Sequence, residues 1–445
     1  MVSTNDLTHG PIRAQFVALS APLLVGNILQ QLYNTVDAVI VGKYVGDAAF
    51  AAVGVAGSVM NLFLFLISGG CTGVSVLLSQ FYGAGDERSF RKNFFLATVL
   101  GGGLSLLLTV VGLLVLTPLL KILQTPDDVL GYAVEYLQII FLGFVAAFAY
   151  NICSAVLNAL GNTRAALVFL SVSMVANLIL HVVLVAVIPW GVAGAAWATV
   201  IAQILAAGLA LVYLRRRFPQ MIFKKQDMVY DGAMLGRTAY FGFSSALQMC
   251  SLYIGKLMVQ GAVNSLGTAA ISAYTAATRI EGFANSFGDS GCAAMSVFIG
   301  QNTGAKNNRR VKQGFYSGQL MLAGFGLFMS AVMFVGAPVL LPLVLPEGDG
   351  ASLAPAMGYL RLVACFYVFN FLGSGLSGYY RGRGRVHLPV IGSTGHISMR
   401  ALLSWLLAAS MGLPAVALAT GIGWVGVVIF WFTIMHRTER LDEAQ

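Results

Sequence analysis

Side chains that can carry charge sit inside the long apolar runs of this 445-residue chain, where each is costly and needs a reason. The set is Asp37, His181, Lys256, Arg279, Glu281, Asp289, Arg361, His396 and Arg400. Polar residues of the first half group by depth. Asp37 lies about five residues below the outer end of the first apolar run, and His181 about seven below the outer end of the fifth. Asn177 is one turn deeper than His181 on the same helical face, and Thr199 lies about seven residues into the sixth run. At 1.5 Å per residue these four share a layer roughly 7–16 Å below the outer surface. A carboxylate, an amide, an imidazole and a hydroxyl at one depth can hold a proton or a small cation. Equal depth also fits four separate interfacial residues.

In the second half, Glu281 and Asp289 are eight residues apart, close to two helical turns, and are expected to share a face near mid-membrane. Two acids on a water-filled cleft would attract organic cations; alternatively Lys256, Arg361 or Arg400 neutralises them from neighbouring helices. Lys256 reaches nearly the depth of Asp37, where it either snorkels outward or answers that carboxylate. Arg400 and His396 share a face, with a structural tether as the expected role. No Walker loop, GxSxG or HExxH is present, so an enzyme is not expected. Five cysteines, Cys71, Cys153, Cys250, Cys292 and Cys365, all lie in apolar runs without CxxC or Cys/His spacing, which argues against disulfides and zinc. No cofactor is expected beyond a coupling ion.

The elements that position these residues follow from composition. The chain is 58% hydrophobic and 10% charged, more apolar surface than a soluble protein of this size could hide. Twelve spans are expected, at roughly 14–41, 48–80, 90–117, 128–151, 165–188, 192–214, 233–262, 267–300, 311–337, 352–380, 387–410 and 414–435. With the N-terminus inside, 20 of the 26 Lys and Arg fall in one set of loops, whereas the opposite loops hold Lys43 and Lys121. That asymmetry places both termini in the cytoplasm of a multi-pass protein of the plasma (inner) membrane. It also makes the net charge of +9, and RGRGR at 381–385, topology signals rather than a nucleic-acid site. Thr125-Pro126-Asp127-Asp128 reads as an N-cap, a proline at the first helical position and acids at the positive dipole end. Pro22, inside the first span, removes a helix hydrogen bond and should kink it.

The chain also repeats itself. Residues 46–94 align with 267–315 at a constant offset of 221, with 14 of 49 positions identical, among them Cys71/Cys292, Gln80/Gln301 and Arg88/Arg309. The offset holds again between Gly161 and Arg164 of GNTR and Gly382 and Arg385 of GRGR. Six spans per copy is an even number, so both copies enter the membrane from the same side. The basic stretch at 215–232 joins them, giving an N-terminal six-helix bundle at 1–220 and a C-terminal one at 221–445. Two parallel copies in a membrane protein point to a transporter working at their seam.

NTVDAVIVGKYVG, SQFYGAGDERSFRK, ALGNTR, WGVAGAAWATVIAQ and IGQNTGAKNNRRVKQG, in that order, resemble the multidrug and toxic compound extrusion (MATE) family over essentially the whole chain. The resemblance implies an all-α membrane fold of two six-helix bundles forming a V around a central cleft. It further implies export of amphipathic, often cationic small organic compounds in exchange for H+ or Na+. Asp37 matches the family's span 1 aspartate, the usual ion-coupling carboxylate, and Asn177 and Thr199 match polar ligands in spans 5 and 6. His181 departs from the pattern, standing where many relatives carry an aspartate. Sodium prefers oxygen ligands, and an imidazole beside a carboxylate suits a proton, so proton coupling is expected. Gln248 stands where some members carry a glutamate, and it joins Lys256, Glu281, Asp289 and Arg400 as a candidate cleft residue. A monomer in the lipid bilayer is expected, with no nucleic-acid partner. A lipid-linked oligosaccharide flippase on the same scaffold is the alternative.

Overall fold

The computed structural model describes residues 6–122, 124–345 and 350–443; the side chains of 33–39, 47 and 438–443 lie outside the described residues. Among the described residues there are fourteen α-helices and no strand. They are α1 Ile12–Tyr44, α2 Asp47–Gly83, α3 Glu87–Ile122, α4 Asp127–Leu142, α5 Phe144–Ala159, α6 Thr163–His181 and α7 Gly191–Arg217. The rest are α8 Gly232–Asn264, α9 Thr268–Gly304, α10 Asn308–Leu340, α11 Gly350–Ala364, α12 Tyr367–Gly382, α13 His387–Met411 and α14 Leu413–Glu443.

The repeat seen in the sequence is a repeat of structure. Helices α2 and α9 are both 37 residues long, and each starts after a glycine in the left-handed region, Gly46 at φ 114 and Gly267 at φ 92. Asp86 and Asn307 cap α3 and α10 in the same way, accepting from the backbone N–H groups of Ser89 and Arg310. The next positive φ values pair too: Gly85 with Lys306, and Gly191 with Gly412. The second copy therefore holds a lysine at φ 57 where the first uses glycine.

Both copies contain one bent pair. The helices α4 and α5 meet at 47°, and α11 and α12 at 50°. The expected single spans at 128–151 and 352–380 are thus each two helices. At the first bend the freed carbonyl of Phe141 accepts from Thr109 Oγ1 at 2.8 Å, which keeps the break satisfied inside an apolar core. Thr125 is not the cap of α4: Pro126 occupies that position and no side chain caps the helix. Pro22 lies within α1, which continues on both sides of it.

Among the described residues seven helices are long and apolar enough to cross a membrane, and each bent pair qualifies jointly, for up to nine candidate spans. The helices α8, α9 and α13, which carry Lys256, Glu281, Asp289 and Arg400, fall outside that set. The lipid-facing belt is explicit on α3, where Leu106 and Leu107 are each 57% exposed and Leu114 75% exposed. Water could not tolerate so large an apolar surface, whereas hydrocarbon can.

The helices sort into two compact units. Unit 1 is built around Ala21–Ala246, and unit 2 around Thr8–Ser20 with Leu247–Gln445. Helix α1 thus changes unit next to Pro22, and α8 changes unit between Ala246 and Leu247. The core of unit 1 includes Phe141 and Phe144, with Phe63 packed against them; the three rings meet edge-on or tilted at 5.0–5.8 Å. Unit 2 is built on Tyr359, Tyr367, Phe371 and Trp424. Glycine permits the tightest helix contacts: a methyl at Gly73 of α2 would overlap the Phe241 carbonyl of α8, and one at Gly378 of α12 would meet the Cys292 carbonyl of α9.

Candidate ion-coupling and substrate sites

In unit 1, three of the four residues grouped by depth come together between α6 and α7. Asn177 and His181 are one turn apart on α6, and Thr199 and Ala195 are one turn apart on α7. Asn177 Nδ2 donates to Thr199 Oγ1 at 3.2 Å, and Thr199 Oγ1 donates to the Ala195 carbonyl, also at 3.2 Å. The His181 Nε2 lies 3.0 Å from the same carbonyl. A carbonyl can only accept, so Nε2 carries the proton in this arrangement.

Both α6 side chains are buried, His181 at 0% and Asn177 at 3% exposure. The Asn177 Oδ1 has no hydrogen-bond partner among the described residues, an acceptor left open in an apolar surrounding. His181 is the last residue of α6, and a π-helical turn, Val182–Val187, follows it. Such widened turns free backbone groups and recur at functional sites. The fourth expected residue, Asp37, belongs to α1, and its side chain lies outside the described residues.

Unit 2 separates its expected residues by accessibility. Lys256 and Asp289 are exposed, whereas Gln248, Glu281 and Arg400 are buried at 4%, 6% and 7% exposure. Glu281 and Asp289 therefore face different surroundings although they lie on one helix. Eight residues make 2.2 turns, which leaves them about 80° apart. Among the described residues neither acid forms an ion pair within 4 Å. Longer-range charges act instead: Arg400 and Lys256 on Glu281, and Lys256 and Arg381 on Asp289. Arg400 donates to Tyr274 at 3.2 Å, while its Nε and the Glu281 Oε1 are buried without hydrogen-bond partners among the described residues.

Gln248 is the hub of a second network. Its Oε1 accepts from Arg381 Nη2 at 2.7 Å and Nε at 3.3 Å, and its Nε2 reaches Ser393 at 2.8 Å and Ser377 at 3.3 Å. Arg381 also directs Nη1 at the Cys292 thiol, 3.8 Å away. Sequence reasoning missed Arg381, grouping it with a loop of topology-setting arginines. It is the basic residue of α12's last turn and only 7% exposed. The available signal was its spacing of four from Ser377, which sets both on one face of a helix. No group of three or more His, Cys, Asp and Glu that could hold a metal ion occurs among the described residues.

Known proteins share this fold and its duplication. The MatE family model matches twice, at residues 22–183 and again at 244–406, one match per repeat copy. The probable multidrug resistance protein YpnP of Bacillus subtilis is 27% identical over 422 residues, 94% of either chain. A probable multidrug resistance protein NorM of Thermotoga maritima is 22% identical, covering 85% of this chain and 82% of its own. Among solved structures, a MATE protein in complex with MaL6 superimposes with a TM-score of 0.93 at 20% identity over 100% of both chains. A MOP-superfamily transporter from Pyrococcus furiosus gives 0.91 at 20% identity over 98% of each. The duplicated helical units, the lipid-facing belt and the double family match lead to one conclusion: this multi-pass membrane protein belongs to the MatE family, the MATE transporters.

Proposed function

We propose that this protein is a secondary active exporter of amphipathic, often cationic, small organic compounds, working in antiport with protons. The observation that carries the reading is the buried cluster of Asn177, Thr199 and His181 on the Ala195 carbonyl. It offers one open amide oxygen and one titratable ring, a poor set for sodium and a serviceable one for a proton. Relatives named as multidrug resistance proteins support the substrate class.

Under this reading Asp37 is the coupling carboxylate of α1, and its charge holds a cationic compound. Protonation of Asp37 from the outer side, modulated by His181, removes that charge and releases the compound outward. The repeat bundles run along the sequence as 1–220 and 221–445, and the compact units differ from them in where residues 8–20 and 221–246 belong. Counting each bent pair once and adding α8, α9 and α13 to the apolar helices gives twelve spans, with both termini cytoplasmic and a monomer as the working form. Exposed Lys256 and Asp289 are the cleft residues of unit 2 that meet substrate, while buried Gln248, Glu281 and Arg400 set the charge behind them.

A lipid-linked oligosaccharide flippase is the second reading. It draws on the polar region of unit 2, where Lys256, Arg381 and Arg400 outnumber Glu281 and Asp289.

Ethidium efflux from energised cells in sodium-free buffer separates these readings. Efflux by the wild type that disappears in Asp37→Asn supports the proton-coupled exporter. A requirement for added sodium refutes the role given to His181. Absence of dye movement in both buffers favours the flippase.

A further inference from the structure

The 14 residues between α7 and α8 form a strap held against unit 1. Two short 3-10 turns, Pro219–Met221 and Lys225–Asp227, fold it back on itself. Phe218 and Met221 are buried at 3% and 6% exposure, and the Phe223 ring meets Phe94 and Phe95 of α3 edge-on at 5.1 and 5.6 Å. Both acids of the strap are consumed by α3. Arg91 Nε bonds Asp227 at 3.0 Å while its Nη1 bonds the Gln220 carbonyl, and Lys92 bonds Asp231 at 2.7 Å. Five exposed cations remain: Arg215, Arg216 and Arg217 in the last turn of α7, and Lys224 and Lys225 in the strap. Beside them three consecutive apolar side chains face outward, Met228 at 47%, Val229 at 52% and Tyr230 at 77% exposure.

Position decides what such a surface meets. The strap starts where the apolar span of α7 ends at Arg217. It touches α3 about two turns from that helix's first residue, and α3 at 36 residues is about 54 Å long, so its first turns overshoot a ~30 Å hydrocarbon core. Exposed cations beside an exposed tyrosine and two further apolar side chains at that level match the chemistry of the membrane interface. We propose that the strap is a docking surface for anionic phospholipid headgroups, with Met228, Val229 and Tyr230 seated at the headgroup boundary. The ion pairs with α3 do two things at once: they hold the strap in place and neutralise its two carboxylates, leaving the exposed charge of the strap and the end of α7 predominantly basic. A role in setting topology ends when the chain is inserted; headgroup binding persists in the folded protein.

The test is amide hydrogen exchange of the strap in nanodiscs of phosphatidylcholine with and without phosphatidylglycerol. Each basic residue near the surface biases the association by roughly fivefold, so anionic lipid should slow exchange over 222–231 by at least about tenfold. High salt should abolish the effect, because these charges are exposed. The variant R215Q/R216Q/R217Q/K224Q/K225Q should lose it with α2 and α9 amides unchanged, which shows that the fold is intact. M228S/V229S/Y230S, with all charges kept, should weaken it. Equal exchange in both lipids overturns the proposal. So does protection in neutral discs by soluble glycerol phosphate, which would mark a phosphate site, or by polyglutamate, which would mark an acidic-peptide surface.

Discussion

Truncating Gln248 to alanine should cost far more than the loss of one neutral side chain. Its Oε1 is the acceptor of two Arg381 N–H groups, and Arg381 is only 7% exposed with no carboxylate within 4 Å among the described residues. A hydrogen bond to a charged group contributes about 1.5–3 kcal/mol and a neutral one about 1 kcal/mol. Removing the guanidinium contact and the two serine bonds, and leaving a buried cation with only the Cys292 thiol beside it, gives an expected loss of about 3–5 kcal/mol. Replacing both partners removes the conflict, so Gln248→Leu with Arg381→Met should recover most of that loss. Gln248→Glu, which turns the contact into an ion pair, should retain the wild-type stability or exceed it. Hydrogen exchange of the slowest α12 amides reads the opening free energy where the network sits. A loss under about 1 kcal/mol in Gln248→Ala, or additive losses in the double variant, would show that Arg381 does not depend on Gln248.

Three further outcomes are expected. Lys306→Gly relieves a left-handed backbone at φ 57 and should stabilise unit 2 by about 0.5–1 kcal/mol; a clear destabilisation in thermal unfolding counts against strain at that turn. Gly73→Ala should cost about 1–3 kcal/mol because its methyl overlaps the Phe241 backbone, whereas Gly54→Ala, with open space around it, should be neutral or better; equal effects of the two would refute the close approach of α2 and α8. The strap should loosen in acid. Burial opposes ionisation of Asp227, but the Lys224 backbone N–H and the Arg91 guanidinium outweigh it and hold its carboxyl below the usual range. Lys92 and the Met234 backbone N–H lower Asp231 likewise. A depressed folded value means that the stabilisation is complete above the unfolded value of about 3.9 and fades as pH falls through the folded one. Strap exchange, corrected for intrinsic rate, should therefore rise below about pH 4 in the wild type and vary less with pH in Asp227→Asn. Protection that persists at pH 3 in the wild type would refute the ion-pair account.

The sequence by itself determined the repeat, the apolar helices and the common depth of Asn177, His181 and Thr199. The 221-residue offset survives in the equal lengths of α2 and α9, in the caps Asp86 and Asn307, and in the paired positive φ values, because helix ends depend on a few local residues. Asn177, His181 and Thr199 were legible as a group because depth follows directly from rise per residue, and neighbouring helices α6 and α7 are joined by a short turn. Tertiary structure alone decided the rest. The bends at 47° and 50° require a neighbour to accept the broken helix, as Thr109 does for Phe141, and no local pattern announces that. Arg381 and Gln248 are 133 residues apart, so a loop-like arginine became a buried one only through the packing of α12 against α8 and α9. Glu281 and Asp289 look alike along the chain, yet one is enclosed and the other exposed, since burial depends on which helices lie opposite each face.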